Sequence, residues 1–185
     1  MAEDLKYIQV GDLAKGITGN ILPHSEELSG KSMKLFYDDE SITQIHFNTE
    51  HTMTWEILEG LEKGSHEDAT YRATSLRKDI YFVDYIKESR KATTVSLVMD
   101  LSIQKITTVV GALPTREDTR KDAFSRVQGG LELTGVSAKF LRASIGMPFR
   151  SNSHPHGPTD ELIGKRVIYV YSKTEAYEHI YLNPN

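Results

Sequence analysis

From residue 32 onward the chain alternates short runs of strand-forming residues with short polar turns. The runs are "SMKLFY", "ITQIHFN", "HTMTWEIL", "ATYRATSL", "DIYFVDYI", "ATTVSLVMDL", "KITTVVGAL" and "LTGVSAKFL", followed near the end by "KRVIYVY" and "AYEHIYLN". Between them lie "DDES", "LEKGSHED", "LRK", "KESRK" and "SIQ". Successive short strands joined by short polar turns predict a mainly β fold, an antiparallel barrel or sandwich built as a meander.

Side chains alternate between the two faces of a strand, so each run can be sorted by parity. Met33, Leu35 and Tyr37 share a face, as do Met53, Trp55 and Ile57, opposite Thr52, Thr54 and Glu56. In "IYFVDYIK", Tyr81, Val83, Tyr85 and Lys87 face one way while Ile80, Phe82, Asp84 and Ile86 face the other. Neither of those faces is purely apolar, and parity alone does not say which looks inward. Aromatics mixed with a few polar groups suit a barrel that encloses a ligand better than one with a filled apolar interior.

Two segments break the strand pattern. "LPTREDTRKDAFSRVQGG" reads as a long loop or as a short helix capped by Gly129 and Gly130. "GMPFRSNSHPHGPTD", rich in Pro, Gly and small polar residues, reads as a linker. Beyond it the chain repeats itself: Leu28, Gly30, Lys31 and Tyr37 align with Leu162, Gly164, Lys165 and Tyr171, and after one inserted residue Glu40, Ile45 and Asn48 align with Glu175, Ile180 and Asn183. A duplicated β-hairpin leaves such a trace, as do two unrelated hairpins obeying the same turn chemistry. The expected organisation is a lead-in over 1–27, broken by Gly11, Gly16, Gly19 and Pro23, a barrel over 28–146, a linker over 147–161 and a hairpin over 162–185 that resembles the start of a second repeat.

Composition narrows the function. At 185 residues the chain has length for one domain with a substantial core, or for one domain plus a fragment, but not for a second full domain. A net charge of −4 with interspersed signs lacks the basic footprint of a nucleic-acid binder. No apolar run approaches the roughly 20 residues of a membrane helix, and "MAEDLKYIQV" does not read as a signal peptide. Cysteine is absent, which removes thiolate chemistry and disulfides and suits a cytoplasmic location.

"GKSMKLFYDD", "TEHTMTWEILEG", "IYFVDYIKES" and "TTVSLVMDL" resemble, in order and spacing, the MoaF-like proteins, lipocalin-like β-barrels of the calycin type, and more distantly the bacterial phenolic acid decarboxylases. The resemblance covers about residues 28–145 as one barrel, and "GKRVIYVYSKTEAYEHIYLN" looks like the opening of a second, related half. The decarboxylase resemblance implies an interior site of two tyrosines, an arginine and a glutamate. Here the first tyrosine falls on Leu35 and the second on Tyr37; Glu56 stands at the arginine's place and Lys87 at the glutamate's, or Glu88 after a one-residue slip. A glutamate in place of the arginine repels a substrate carboxylate, which argues against that reaction.

The sequence therefore predicts a barrel that binds a small aromatic or carbonyl-bearing metabolite. Tyr37, Glu56 and Lys87 are the catalytic candidates, and Leu35, Trp55, Tyr81 and Tyr85 the ligand-binding ones. Glu56 facing Lys87 across the cavity would supply proton transfer for a lyase or isomerase without any cofactor; as rim or solvated charges they would leave a non-catalytic carrier or sensor. The aromatic set reads as a pocket lining, or as ordinary cross-strand packing. His154 and His156 sit in the linker without zinc-ligand spacing, so no metal is expected, and His46 and His51 lie on or beside strands. The expected partner is a small molecule rather than nucleic acid or a membrane; the terminal hairpin is expected to pair with an exposed edge of the barrel or of a neighbouring subunit, the latter allowing a homodimer.

Overall fold

The computed structural model of the chain describes residues 22–90, 92–150, 153, 156–171 and 176–183. Gly11, Gly16, Gly19, His154 and Glu175 lie outside the described residues. Two compact units are present, one of them His24–His156 and the other containing the hairpin near the C-terminus.

The first unit is a closed antiparallel barrel of eight strands in meander order: β1 Ser32–Tyr37, β2 Ile42–Phe47, β3 Thr52–Glu59, β4 His66–Arg77, β5 Ile80–Ile86, β6 Thr93–Asp100, β7 Lys105–Ala112 and β8 Ser137–Ile145. Pairing of β1 with β8, Leu35 opposite Ile145 and Tyr37 opposite Ala143, closes the ring and leaves no free edge. Among the described residues, no helix is long and apolar enough to cross a membrane.

Closure settles the parity question. Met33, Leu35 and Tyr37, Met53 and Trp55, and Tyr81, Val83 and Tyr85 are buried inside, whereas Glu56, Phe82, Asp84 and Ile86 stand exposed outside. In an up-and-down barrel the turns alternate between two ends, and the interior differs from one end to the other. Towards the β2–β3, β4–β5 and β6–β7 turns the inward positions carry long side chains, including Met33, Leu35, Phe47, Met53, Leu97 and Met99. Fully buried Leu28, from the segment before β1, belongs to the same packed cluster. That segment is fastened by the Ser25 amide donating to the Ala73 carbonyl at 2.9 Å, by the Tyr81 hydroxyl donating to the Glu27 carboxylate, and by His24 Nε2 donating to the Glu50 carbonyl at 2.7 Å. Towards the other end several inward positions carry short side chains, Thr43, Thr93, Val95, Thr108 and Val110, and a cavity opens there.

The segment between β7 and β8 contains a 3-10 turn, Asp118–Arg120, and a short helix α1, Ala123–Gln128, which resolves the helix-or-loop alternative. Asp122 caps its start by accepting the Ser125 amide at 2.9 Å, and Gly130, at φ +69°, takes the left-handed turn after it. Arg126 on α1 is buried and donates to the carbonyls of Glu132 (2.7 Å) and Thr134 (2.9 Å), gathering the loop around itself. Gly135 follows, where any Cβ would lie 2.7 Å from Pro114, so the expected strand "LTGVSAKFL" begins only at Ser137 and runs on to Ile145. His156 is held to the barrel unit by Thr107, 2.9 Å from its Nδ1.

In the second unit β9 Arg166–Val170 and β10 Ala176–Ile180 form a two-stranded antiparallel sheet. Its backbone bonding repeats that of β1–β2. Gly30 N donates to Phe47 O at 2.7 Å, and Gly164 N to Tyr181 O at 2.8 Å; Phe47 N donates to Lys31 O, and Tyr181 N to Lys165 O. Gly30 and Gly164 share a left-handed φ of +76° and +77°. The register, Ser32 opposite His46 and Arg166 opposite Ile180, makes Ile180 the counterpart of His46, so the inserted residue in the sequence alignment is a one-residue misregister. Such a slip gains a few residue identities yet puts every later side chain on the wrong face. The positions that face inward on β1–β2 correspond to Val167, Tyr169, Tyr177 and His179 here.

Candidate functional site: a half-open barrel cavity

The cavity has a volume of about 510 Å³, the scale of a pocket for a small molecule. Its wall combines Tyr37, Trp55, Tyr85, Thr93 and Thr108 with the aliphatic Ile45, Ile57, Val95, Val110 and Leu141. Its mouth lies at the end where the β1–β2, β3–β4 and β5–β6 turns meet, and those turns bring Asp39, Glu62, Lys87 and Arg90 to one rim, with Lys139 from the start of β8.

Inside, the polar groups are hydroxyls that stay neutral. The Tyr37 hydroxyl is 3.1 Å from Thr108 Oγ1. Burial, above all, pushes its pKa up to about 12, and the charges of Asp39 and Asp38 add to that against the opposing Thr108 bond. Tyr85 is raised too, first by burial and then by Tyr37 and Glu67. Both are donors and acceptors near neutral pH, not bases. The Trp55 indole Nε1 is buried with no hydrogen-bond partner among the described residues. An unpaired buried donor costs about 1–3 kcal/mol, and the cavity face of Trp55 is its ring, not this N–H.

The charges sit at the mouth. Lys87 Nζ lies 4.7 Å from the centroid of the Trp55 ring, a cation–π contact, and 3.0 Å from Glu62 Oε2. The Lys87 side chain is only 13% exposed, that of Glu62 48%. Arg90 Nη1 reaches the other oxygen of the same carboxylate at 3.8 Å. The Lys87 hydrogen bond holds Glu62 below the usual carboxylate range, with burial opposing and the charges of Lys87 and Arg90 adding to it. Across the rim, Asp39 accepts from Lys139 at 2.9 Å and from the Ser41 hydroxyl at 2.5 Å. Burial works to raise its pKa, but those bonds together keep it low. Glu67 accepts the amides of Glu88 (2.7 Å) and Ser89 (3.1 Å), tying β4 to the turn that carries Lys87 and Arg90.

Of the residues expected from sequence, Tyr37, Trp55, Tyr85 and Lys87 come together on the cavity wall. Leu35 is fully buried in the packed half, and Tyr81, at the start of β5, donates its hydroxyl to Glu27 of the segment before β1, so neither lines the cavity. Glu56 is exposed on the outer face, because Trp55 and Ile57 on either side of it point in; it does not face Lys87. Glu88 is likewise exposed and outside the lining. The acid that meets Lys87 is Glu62, in a turn that sequence reading treated as punctuation. The alternation of turns in a meander would have found it, since the β3–β4 and β5–β6 turns must share an end. Among the described residues, no group of three or more His, Asp or Glu side chains is placed to hold a metal.

The pattern of the MoaF N-terminal domain matches residues 5–115, and that of the MoaF C-terminal domain matches residues 156–185. The chain belongs to the MoaF family. Protein MoaF of Klebsiella aerogenes is 34% identical over 191 residues, a match covering 100% of this chain and 66% of that protein. This MoaF-family chain thus spans slightly less than two thirds of that relative's length. Among solved structures, a candidate beta-lactamase from Burkholderia vietnamiensis is similar at a TM-score of 0.47 and 16% identity, over 68% of this chain and 96% of that one. No chemistry is carried over from it.

Proposed function

We propose that the barrel binds a small molecule with a flat, largely apolar body and a carbonyl or hydroxyl group, in the cytoplasm and without a cofactor. The observation that carries this reading is the half-open interior: aliphatic and aromatic walls with neutral hydroxyls at Tyr37, Tyr85 and Thr108. Apolar walls with a few fixed polar groups favour selective retention of such a ligand. Trp55 is the single tryptophan of the chain and lies on the cavity wall, so its emission reports on that cavity alone. Mass spectrometry of the protein as purified under non-denaturing conditions, with organic extraction, is expected to release a small aromatic or carbonyl compound whose re-addition shifts Trp55 emission. A full panel of such compounds leaving the emission unmoved would defeat the reading.

Lyase or isomerase chemistry is the second reading, favoured by the nearly buried Lys87 beside Glu62 at the cavity mouth. With Glu56 outside, Glu62 is the acid left to exchange a proton with Lys87. Incubation with a metabolite extract followed by mass spectrometry tests this. Depletion of a compound by the native protein and not by Lys87→Met supports turnover, and unchanged pools assign the barrel to carriage or sensing.

A further inference from the structure

We propose that the cavity takes a ligand bearing a carboxylate, and that this carboxylate replaces Glu62 on Lys87 and Arg90. The proposal rests on the reading of the barrel as a small-molecule site. It also reverses the preference implied by an inward Glu56, which would have repelled an acid.

The argument begins with the balance of charge. The lining brings Lys87, Arg90 and Lys139 against Asp39 and Glu62, an excess of one cation. Asp39 is already satisfied by Lys139 and Ser41 on the far side of the rim. Glu62 is therefore the anion that offsets Lys87 and Arg90, with one oxygen at 3.0 Å from Lys87 and the other at 3.8 Å from Arg90. Once that carboxylate moves away, two cations face a wall that otherwise carries neutral hydroxyls and apolar groups.

The two halves of this pair are anchored unequally. Lys87 follows directly on β5, is 13% exposed, and is held against the Trp55 ring. Its turn is further fixed by Glu67, which accepts two of its amides. Glu62 lies on the β3–β4 turn between Gly60 (φ +114°) and Gly64 (φ +87°), and its side chain is 48% exposed. Leu61 beside it is fully exposed although it lines the cavity mouth. The cation is built into the wall, while the acid hangs from a glycine-flanked turn. An incoming carboxylate makes the same charge-assisted bonds to Lys87, its apolar body lies beside Trp55 and Ile57, and Glu62 turns to solvent at small cost because it is already half exposed. No bond is made or broken in this exchange.

The test uses biphenyl-4-carboxylate and its neutral isostere biphenyl-4-carboxamide, followed by calorimetry and by Trp55 emission, on the full chain. The carboxylate is expected to bind the native protein about tenfold more tightly than the carboxamide, the scale of one net charge-assisted contact. Glu62→Gln should raise carboxylate affinity about tenfold further and leave the carboxamide within about twofold, while Lys87→Met should abolish the preference. Equal binding of both probes to the native protein and to Glu62→Gln overturns the carboxylate proposal and leaves the cavity reading standing. A loss of carboxylate affinity in Glu62→Gln also overturns it, because Glu62 would then be a partner of the ligand and not its competitor. If neither probe binds or moves Trp55 emission in any variant, both the proposal and the cavity reading fall. Thermal melting of each variant separates lost binding from lost folding.

Discussion

Tyr37 joins the packed and open halves of the barrel, since its ring is 8% exposed in the core and its hydroxyl meets Thr108 on the cavity wall. Burial raises its pKa to about 12 from an ordinary value near 10, so both states of the protein keep the proton below pH 10. Between about pH 10 and 12 the unfolded chain releases that proton while the folded one retains it, and stability falls across this window. Tyr37→Phe removes one share of the liability, and Tyr85, raised by burial as well, keeps another. Alkaline unfolding followed by circular dichroism is expected to begin near pH 10 in the native protein and to become less steep with pH in Tyr37→Phe, and an identical pH dependence of stability in the two proteins would refute the assignment. The same variant should weaken any ligand that bonds to the hydroxyl by about tenfold, with little change in melting temperature at neutral pH. Strand alternation carries Tyr37, Trp55, Tyr85 and the adjoining Lys87 to the inner surface once the barrel closes, but it carries Leu35 and Tyr81 there too, and only the position along the barrel axis places those two in the packed half and not on the cavity wall. Glu56 was misplaced for a related reason. A single-strand alignment to a distant family says which position a residue holds, but only the burial of Trp55 and Ile57 on either side of it says which way it points.

At the scale of elements, strands and most turns were readable from β-branched and aromatic runs between polar clusters, whereas segments held by tertiary contacts were not. Residues up to 27 read as a lead-in because nothing local marks Ser25 and Glu27 as bonded to distant strands; Leu28, the first residue of the expected barrel, owes its value to burial among side chains of distant strands. Leu28→Ala should cost about 3 kcal/mol, measured as a lowered urea midpoint, and a loss below about 1 kcal/mol would mean that the end of the barrel collapses to fill the gap. β8 begins later than the strand pattern suggests, after Arg126 gathers the preceding loop and Gly135 packs on Pro114, a contact 21 residues apart in sequence. The β3–β4 turn was read as a turn, yet its role as bearer of Glu62 follows only from the shared end of the meander. Gly60 is strained for any other residue by its φ of +114°, and an added Cβ would lie 2.8 Å from Ser41 Cβ. Gly60→Ala is therefore expected to displace this turn, cost about 1–3 kcal/mol in denaturant unfolding, and perturb the emission of Trp55 through the Glu62–Lys87 contact. Unchanged emission with lowered stability would separate the turn from the cavity.

At the scale of the whole molecule, the two units differ in how their strands are paired. Each barrel strand has hydrogen-bonded neighbours on both sides, while among the described residues β9 and β10 pair only with each other. A two-stranded sheet on its own is marginal in water, and this one exposes Ile168, Val170, Tyr177 and Ile180. The Arg166–Glu178 ion pair at 2.7 Å and the bond between the Tyr169 and Tyr181 hydroxyls at 2.7 Å are surface contacts of small worth. Hydrogen exchange read by mass spectrometry should therefore find the amides of Arg166–Val170 and Ala176–Ile180 exchanging orders of magnitude faster than those of β5 and β6, whose opening requires the barrel to break. Repeating the exchange over a wide range of protein concentration tests pairing between subunits. Protection of the hairpin that grows with concentration, while the barrel amides stay constant, would show that a second copy pairs with β9–β10. Hairpin protection equal to that of β5 and β6 at every concentration would contradict the marginal stability argued here.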